Sequence, residues 1–270
     1  SKRSFGSGNA RPVIRGFDGD RILIMQDSMP VGALGSQSGD HSEPLDVSNL
    51  ERIEILKGPA TLLYGSNAIG GVVNAISSHQ SFHDQPHTGL TGQVSSSVGS
   101  ANGQAGSSFN IEYGVGKWAI WAGGGGQRTR DYDTPIGFVK DSRSRITNGS
   151  TGFGWFGDRA FASFGYRGTE GRNGIPFVTT FEGAKEGEEG NALDAVNIAL
   201  RQHTINITTG IRDLGVAVDE FRLSVNYSDY NHDEVEIFRD GNQLIGTTFE
   251  NQQLFYRGVF TQKRRGRLSG

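Results

Sequence analysis

After residue 88, polar and apolar side chains alternate one by one along much of this chain. Phe109, Ile111, Tyr113 and Val115 interleave with Ser108, Asn110, Glu112 and Gly114. His203, Ile205, Ile207, Thr209 and Ile211 interleave with Gln202, Thr204, Asn206, Thr208 and Gly210. In the cleanest stretch, Phe221, Leu223, Val225 and Tyr227 alternate with Arg222, Ser224, Asn226 and Ser228. A period of two sends successive side chains to opposite faces of a strand, so each stretch has one apolar and one polar surface. The pattern predicts about eight strands, at 89–99, 104–115, 117–129, 143–156, 159–170, 201–212, 219–231 and 249–260. Two settings fit. One is a transmembrane barrel, whose segments of about ten residues face hydrocarbon on one side and a wet lumen on the other. The other is a soluble antiparallel sandwich.

Composition removes other classes. Of 270 residues, 41 are glycine without a G-X-Y period, which disfavours helices and excludes collagen. No run of about 18 apolar residues exists, so a helical membrane bundle is excluded. The chain has no cysteine, hence no disulfide, thiolate nucleophile or cysteine zinc site. With 26 basic and 29 acidic residues it carries no nucleic-acid footprint. No Gly-x-Ser-x-Gly elbow, His-Glu-x-x-His pair or phosphate-cradling loop is present, so an enzyme is not expected.

Linker lengths add a direction. Short links are expected near 115–117, 157–158 and 213–219, and long ones near 131–142, 172–200 and 232–248. They alternate between the two ends of the strands, the asymmetry of outer-membrane barrels with short periplasmic turns.

The first eighty residues differ. Arg21–Gln26 is an apolar run bounded by turn residues, Arg52–Leu56 alternates up to Lys57-Gly58-Pro59, and Val72–Ile76 follows Gly70-Gly71. Pro59 suits the first turn of a short helix through Leu63-Tyr64, with Gly65 as its C-cap. By pattern alone this is a small α+β unit.

Its residues carry a specific resemblance. Asn49–Pro59 (with Arg52, Glu54, Lys57, Gly58 and Pro59), then Leu63-Tyr64-Gly65 and Gly70-Gly71-Val72-Val73-Asn74, resemble the plug domain of TonB-dependent outer-membrane receptors. Arg11-Pro12-Val13-Ile14-Arg15-Gly16-Phe17 and Ile24–Val31 match the same pattern upstream, in order and at the right spacing. The resemblance implies a mostly β chain. An α+β plug, partial, would occupy residues 1–80, a linker 81–88, and the first strands of a nominally 22-stranded transmembrane barrel 89–270. Eight strands cannot surround an eighty-residue plug, whereas plugged transporters have about 22. The chain is therefore expected to start inside the plug, without the signal peptide or TonB-contacting segment, and to stop before the barrel closes. The implied location is a Gram-negative outer membrane, with lipid, TonB and an extracellular metal or metal chelate as partners.

The barrel part is similar to the zinc-uptake branch of this family in Arg130-Asp131-Tyr132, Gly154-Trp155-Phe156-Gly157, Gly174-Ile175-Pro176 and Asn226–Glu234. That resemblance implies zinc as cargo at a plug-apex pair, Asp40-His41, completed by barrel residues. A carboxylate and a neutral imidazole are suitable zinc ligands. The branch's long His-rich external loop is absent: 172–200 carries Glu182, Glu186, Glu188 and Glu189 but no histidine. His232, Asp233 and Glu234, with Glu236, could recruit a cation at an external strand end or be solvated loop charges. His79, His83 and His87 suit ordinary linker histidines. Trp118, Trp121 and Tyr132 suit either an interfacial aromatic girdle or core packing, and Gly123–Gly126 suits a close approach of strand or plug. No cofactor is expected. An adhesin or other barrel without transport, or a siderophore, cobalamin or haem receptor, is compatible with the same residues.

Overall fold

The computed structural model describes residues 2–3, 11–32, 50–58, 61–77, 88–135, 137–176 and 193–263. They form a small mixed sheet and a long antiparallel one. Two short strands, β1 (Lys2–Arg3) and β2 (Arg11–Pro12), pair ahead of the small sheet. Arg15 and Gly16 then turn the chain, both at positive φ (51° and 85°). Ile14 and Phe17 exchange two backbone hydrogen bonds across that turn, at 3.0 and 2.9 Å. Two positive φ values are the signature of the tight turn whose twist suits a hairpin. Asp27 and Ser28 repeat it at 54° and 64°, joining β3 (Ile22–Gln26) to β4 (Met29–Pro30).

Beyond them lie β5 (Leu50–Lys57), the one-turn helix α1 (Thr61–Tyr64) and β6 (Gly71–Ser77). The sheet order is β4-β3-β6-β5, with β6 parallel to β3 and antiparallel to β5. A central strand is covered on both faces, which is why Gly71–Ser77 is nearly all buried and does not alternate. Met25, Ala68 and Val72 form its core, with Leu23 and Tyr64 packed against them. Gly65, at φ +93°, follows the last helical residue as expected of a C-cap. At Gly71 a Cβ would meet the Leu56 carbonyl oxygen at 2.5 Å, so β6 lies against β5 only because no side chain is there.

The long sheet is a meander of eight strands: β7 (Gly89–Gly99), β8 (Gln104–Val115), β9 (Trp118–Thr129), β12 (Ser144–Phe156), β13 (Ala160–Gly174), β14 (Leu193–Arg212), β15 (Val218–Phe238) and β16 (Gln243–Gln262). Sequence neighbours are sheet neighbours throughout, save for a hairpin of β10 (Tyr132–Thr134) and β11 (Gly137–Val139) that stands between β9 and β12. The edges are β7 and β16. The register fixes two faces. Toward the small sheet point Gln93, Asn110, Ser150, Arg167, Thr204, Asn226 and Asn251, cross-strand neighbours or members of the same alternation. Away from it point Leu90, Val94, Phe109, Ile111, Ile120, Phe153, Ile207, Leu254 and Tyr256, each more than two-fifths exposed. Large apolar side chains thus collect on the outside of the sheet.

The expected strands are present, several of them longer. The stretch 232–248, expected to be a long link, is hairpin instead: β15 and β16 stay paired to Ile237 and Gln243 and turn over 239–242. The short alternation Glu234-Val235-Glu236-Ile237 falls inside this stretch, and backbone pairing continues through it. A strand of about 20 residues extends about 66 Å, more than a bilayer needs even when tilted. The link 172–200 likewise shortens, because β13 runs to Gly174 and β14 begins at Leu193. Turns at 116–117, 157–159 and 213–217 close the other end as expected, while the first link at the loop end, 100–103, is also short.

The inward face is not uniformly polar. Ala119, Trp121, Phe156 and Phe161 form a buried cluster toward the short-turn end. Arg212 and Arg222 lie over the Phe161 ring at 5.1 and 5.5 Å. Trp121 is therefore core, while Trp118 points outward at 56% exposure and suits a girdle. Glycines make the room: a side chain at Gly152 would strike Trp121, at Gly154 Phe156, and at Gly210 Phe161. In the Gly123–Gly126 run the crowding comes from neighbouring strands, with Asn148 O 3.0 Å from a Cβ at Gly124 and Ser108 Cβ 2.8 Å from one at Gly125.

Candidate functional site

Two places bring functional side chains together. The first is the seam between the small sheet and the wall. Asp27, at the β3–β4 turn, is 3.2 Å from Arg167 of β13, and the two side chains are only 3% and 12% exposed. Asp27 also accepts hydrogen bonds from Ser77 N at 2.8 Å and Ser77 Oγ at 3.0 Å. These donors offset the desolvation that makes a buried carboxylate costly. Asn74 braces the same turn: its Oδ1 accepts from Ser28 N at 3.0 Å and its Nδ2 donates to Ser28 Oγ at 3.3 Å. Farther along, the Val31 carbonyl accepts from Gln202 Nε2 and from Ser228 Oγ, the latter at 3.3 Å. The Gly32 carbonyl accepts from Asn251 Nδ2 at 2.9 Å. Gly32 has φ +78°, and a Cβ there would sit 2.9 Å from Ser228 Oγ. Arg257 lies over the Tyr64 ring at 5.2 Å. A cleft of about 340 Å³ separates β3 and the turn after α1 from Gln253 and Phe255. Among the described residues the seam is thus polar, unlike either core.

The second place is a corner at the loop end. Asp131 Oδ1 accepts from Arg143 N at 2.7 Å, and Arg143 Nη1 is 3.0 Å from Asp141. Burial pushes the Asp141 carboxyl above its ordinary range, with Arg143 pulling the other way. Gly174 N donates to Arg143 O at 3.0 Å, Ile175 N donates to Val196 O at 3.0 Å, and Ser142 Oγ donates to Val139 O at 2.8 Å. Arg130-Asp131-Tyr132 and Gly174-Ile175-Pro176, read apart in the sequence, meet in one bracket that ties β9, β12, β13 and β14.

The residues singled out in the sequence fare differently. Asp40, His41, Pro59, His79, His83, His87 and Glu182–Glu189 lie outside the described residues. His232 and Glu234 point to the inward face, but Asp233, between them, points outward and accepts from Thr248 Oγ1 at 2.6 Å. Strand alternation therefore separates the trio, and it is neither a solvated loop nor a converging ligand set. His232 is fully buried, stacked on Phe249 at 4.6 Å with the Tyr230 ring edge-on at 5.5 Å. Among the described residues no three His, Asp or Glu side chains are placed to hold a metal. Arg15 and Gly16 make the first tight turn. Arg52 sits on exposed β5, paired with Glu54 at 2.8 Å. The Asp27–Arg167 pair joins positions 140 apart and carries no local signal.

Residues 1–72 match the family described as TonB-dependent Receptor Plug Domain. The vitamin B12 transporter BtuB of Vibrio vulnificus (strain CMCP6) is 26% identical over 191 residues, 70% of this chain and 28% of that protein. Among solved structures, the copper transporter OprC superposes with a TM-score of 0.75 at 16% identity, over 98% of this chain and 39% of that one. The siderophore receptor PirA of Acinetobacter baumannii gives 0.70 at 17% identity, over 100% and 42%. The chain spans under half the length of each.

Proposed function

Starting from a chain that carries a TonB-dependent receptor plug and the eight-stranded wall beside it, we propose that the whole protein is an outer-membrane importer. It takes up a scarce extracellular solute, a metal or metal chelate, when TonB draws on the plug. The proposal assigns the apolar outward face to lipid, the short turns to the periplasm and the long loops to the exterior. Copper and siderophore in the relatives' names support a metal or its chelate. They give no support to zinc in particular, which rests on Asp40-His41 alone.

The seam is the observation that carries this reading. Among the described residues, wall and plug touch through backbone carbonyls, a buried ion pair and a cation–π contact. Interfaces of this polar kind permit relative motion, unlike continuous apolar packing. An element that must shift under load without unfolding the wall needs such a joint.

The test is uptake by cells expressing the full-length receptor, offered zinc, copper, a ferric siderophore and cobalamin, with and without TonB. Accumulation of one solute that is abolished without TonB supports the proposal. Accumulation of none, or uptake indifferent to TonB, overturns it and favours an adhesin or structural barrel. For zinc, calorimetry on the intact receptor and on its Asp40→Ala/His41→Ala variant decides, since equal affinity removes that pair from any site.

A further inference from the structure

On the outward face at the loop end, three arginines stand side by side on adjacent strands. Arg145 of β12 is directly opposite Arg128 of β9 on one side and Arg172 of β13 on the other. All three are exposed. Like charges directly opposite across strands repel, so the row is unfavourable unless an anion lies over it. Nearby carboxylates are engaged elsewhere: Glu170 faces Arg201 at 3.8 Å, Asp131 and Asp141 hold Arg143, and Asp233 is bonded to Thr248. Two clefts flank Arg145. One, of about 450 Å³, lies between it, Arg172 and Arg201, with Glu170 and Asp233 also on its lining, and the other, of about 430 Å³, between it and Arg128.

The height of the row identifies its partner. Trp118 and Trp155 face each other near the short-turn end, and Arg128 and Arg145 face each other ten residues farther along the same strands. Ten residues at about 3.3 Å each, tilted by about 40°, climb about 25 Å, the height of the apolar band of a transmembrane barrel. Tyr166, its hydroxyl 2.7 Å from His203 Nδ1, lies on the same face between the two levels. The arginines therefore meet the lipid headgroups of the outer leaflet. A guanidinium takes a phosphate through two parallel hydrogen bonds.

We infer that Arg128, Arg145 and Arg172 form a phosphate cradle for an outer-leaflet lipid, in an outer membrane a phosphorylated lipid A. The inference rests on the wall being an outer-membrane wall and is independent of the imported solute. Intact receptor in neutral detergent, freed of lipopolysaccharide, is titrated with bisphosphorylated lipid A. The comparisons are Arg128→Gln/Arg145→Gln/Arg172→Gln and the corresponding triple Lys variant. The Gln variant is expected to bind at least tenfold more weakly and the Lys variant to fall between. Dephosphorylated lipid A should bind the unmodified receptor no better than lipid A binds the Gln variant. Because the row repels itself, the Gln variant is also expected to unfold at the same or a higher temperature without lipid, and to gain less when lipid A is added. Equal lipid A affinity of the unmodified and Gln receptors overturns the inference. So does equal binding of phosphorylated and dephosphorylated lipid, a comparison that needs no variant. Inorganic phosphate that displaces lipid A at equal concentration makes the row a free-anion site and overturns the lipid assignment. Solute uptake by the Gln variant should persist, which separates loss of the cradle from failure of the importer reading.

Discussion

The small sheet and the long wall use the same apolar residues in opposite directions. In the small sheet Met25, Val72, Ala75 and Ile76 are buried at the centre. In the wall Val94, Phe109, Ile120 and Tyr256 stand on the outer surface, while Asn226, Ser228, Gln202 and Thr204 are buried on the inner one. One part satisfies the rule that apolar groups leave water. In the outer-membrane reading proposed above, the other satisfies the same rule with lipid as the apolar phase, so it is inside-out only by the standards of a soluble protein. A single chain can hold both because they meet at a polar seam that belongs to neither core.

The strongest test of that seam breaks its ion pair. Arg167→Ala leaves Asp27 buried without its cation and is expected to cost about 3–5 kcal/mol. Hydrogen exchange should rise at 27–31 and 74–77 while the wall from β7 to β9 stays protected. Loss of protection throughout would mean that plug and wall fold as one unit. Next in size is a wall substitution with no counterpart in the plug. Gly152→Val or Gly210→Val pushes into Trp121 or Phe161 and should destabilise the wall by about 1–3 kcal/mol. It should be read as a lower temperature of heat-modified mobility, with plug exchange unchanged. Asn74→Ala removes the acceptor for Ser28 N and is expected to cost about 1–2 kcal/mol, confined to the β3–β4 turn in the same exchange measurement. Smaller still is Arg52→Ala on exposed β5, at most about 1 kcal/mol, detectable only as a slight shift in a denaturant midpoint.

Acidity divides the two ends of the wall. Lys117 donates to Asp158 and Lys263 to Asp213, and these hydrogen bonds hold both carboxyls below the ordinary range. A depressed folded pKa contributes stability that is present above the unfolded value, about 3.9, and lost as pH falls beneath it. Asp141 is shifted the other way by burial, so its contribution is full below about 3.9 and fades as pH rises past its folded value. Below pH 4 exchange is expected to quicken at 157–159 and 213–217 relative to 139–143. A uniform response would remove the distinction.

Much of this was legible in the sequence because alternation and turn residues are local signals. Strands 89–99 and 104–115 lie at their expected positions, and Gly65 caps its helix as its residue type permits. What was missed lies where the local signal stops. The end of the β15–β16 hairpin is rich in acidic residues and was read as a link, although Glu234-Val235-Glu236-Ile237 alternates and Asp240-Gly241-Asn242 was a turn signal in plain view. Gly241 indeed has φ +85°, and Asp240 Oδ1 accepts from Asn242 N at 2.9 Å. Core packing was one of the two settings open to Trp121, but its partner Phe161 belongs to the polar face by parity, which hid the rest of the cluster. Only the glycines opposite them on neighbouring strands give them room. The Asp27–Arg167 pair is a contact between two sheets and the arginine row a product of register, and no single segment encodes either.

The meander has a consequence for assembly. Every pairing in the wall joins strands that follow one another, with only the β10–β11 hairpin standing between β9 and β12, so no new strand closes a loop longer than the link 175–192, and loop closure is cheap when the ends are already near. Such a wall can zip from one edge, with no strand waiting for a distant partner. The small sheet lacks this advantage: its parallel pair brings Ile22 to Gly71 and must enclose everything between. Topology thus makes the plug, though far smaller, the slower part to find its register, and leaves the wall able to form around a piece still searching.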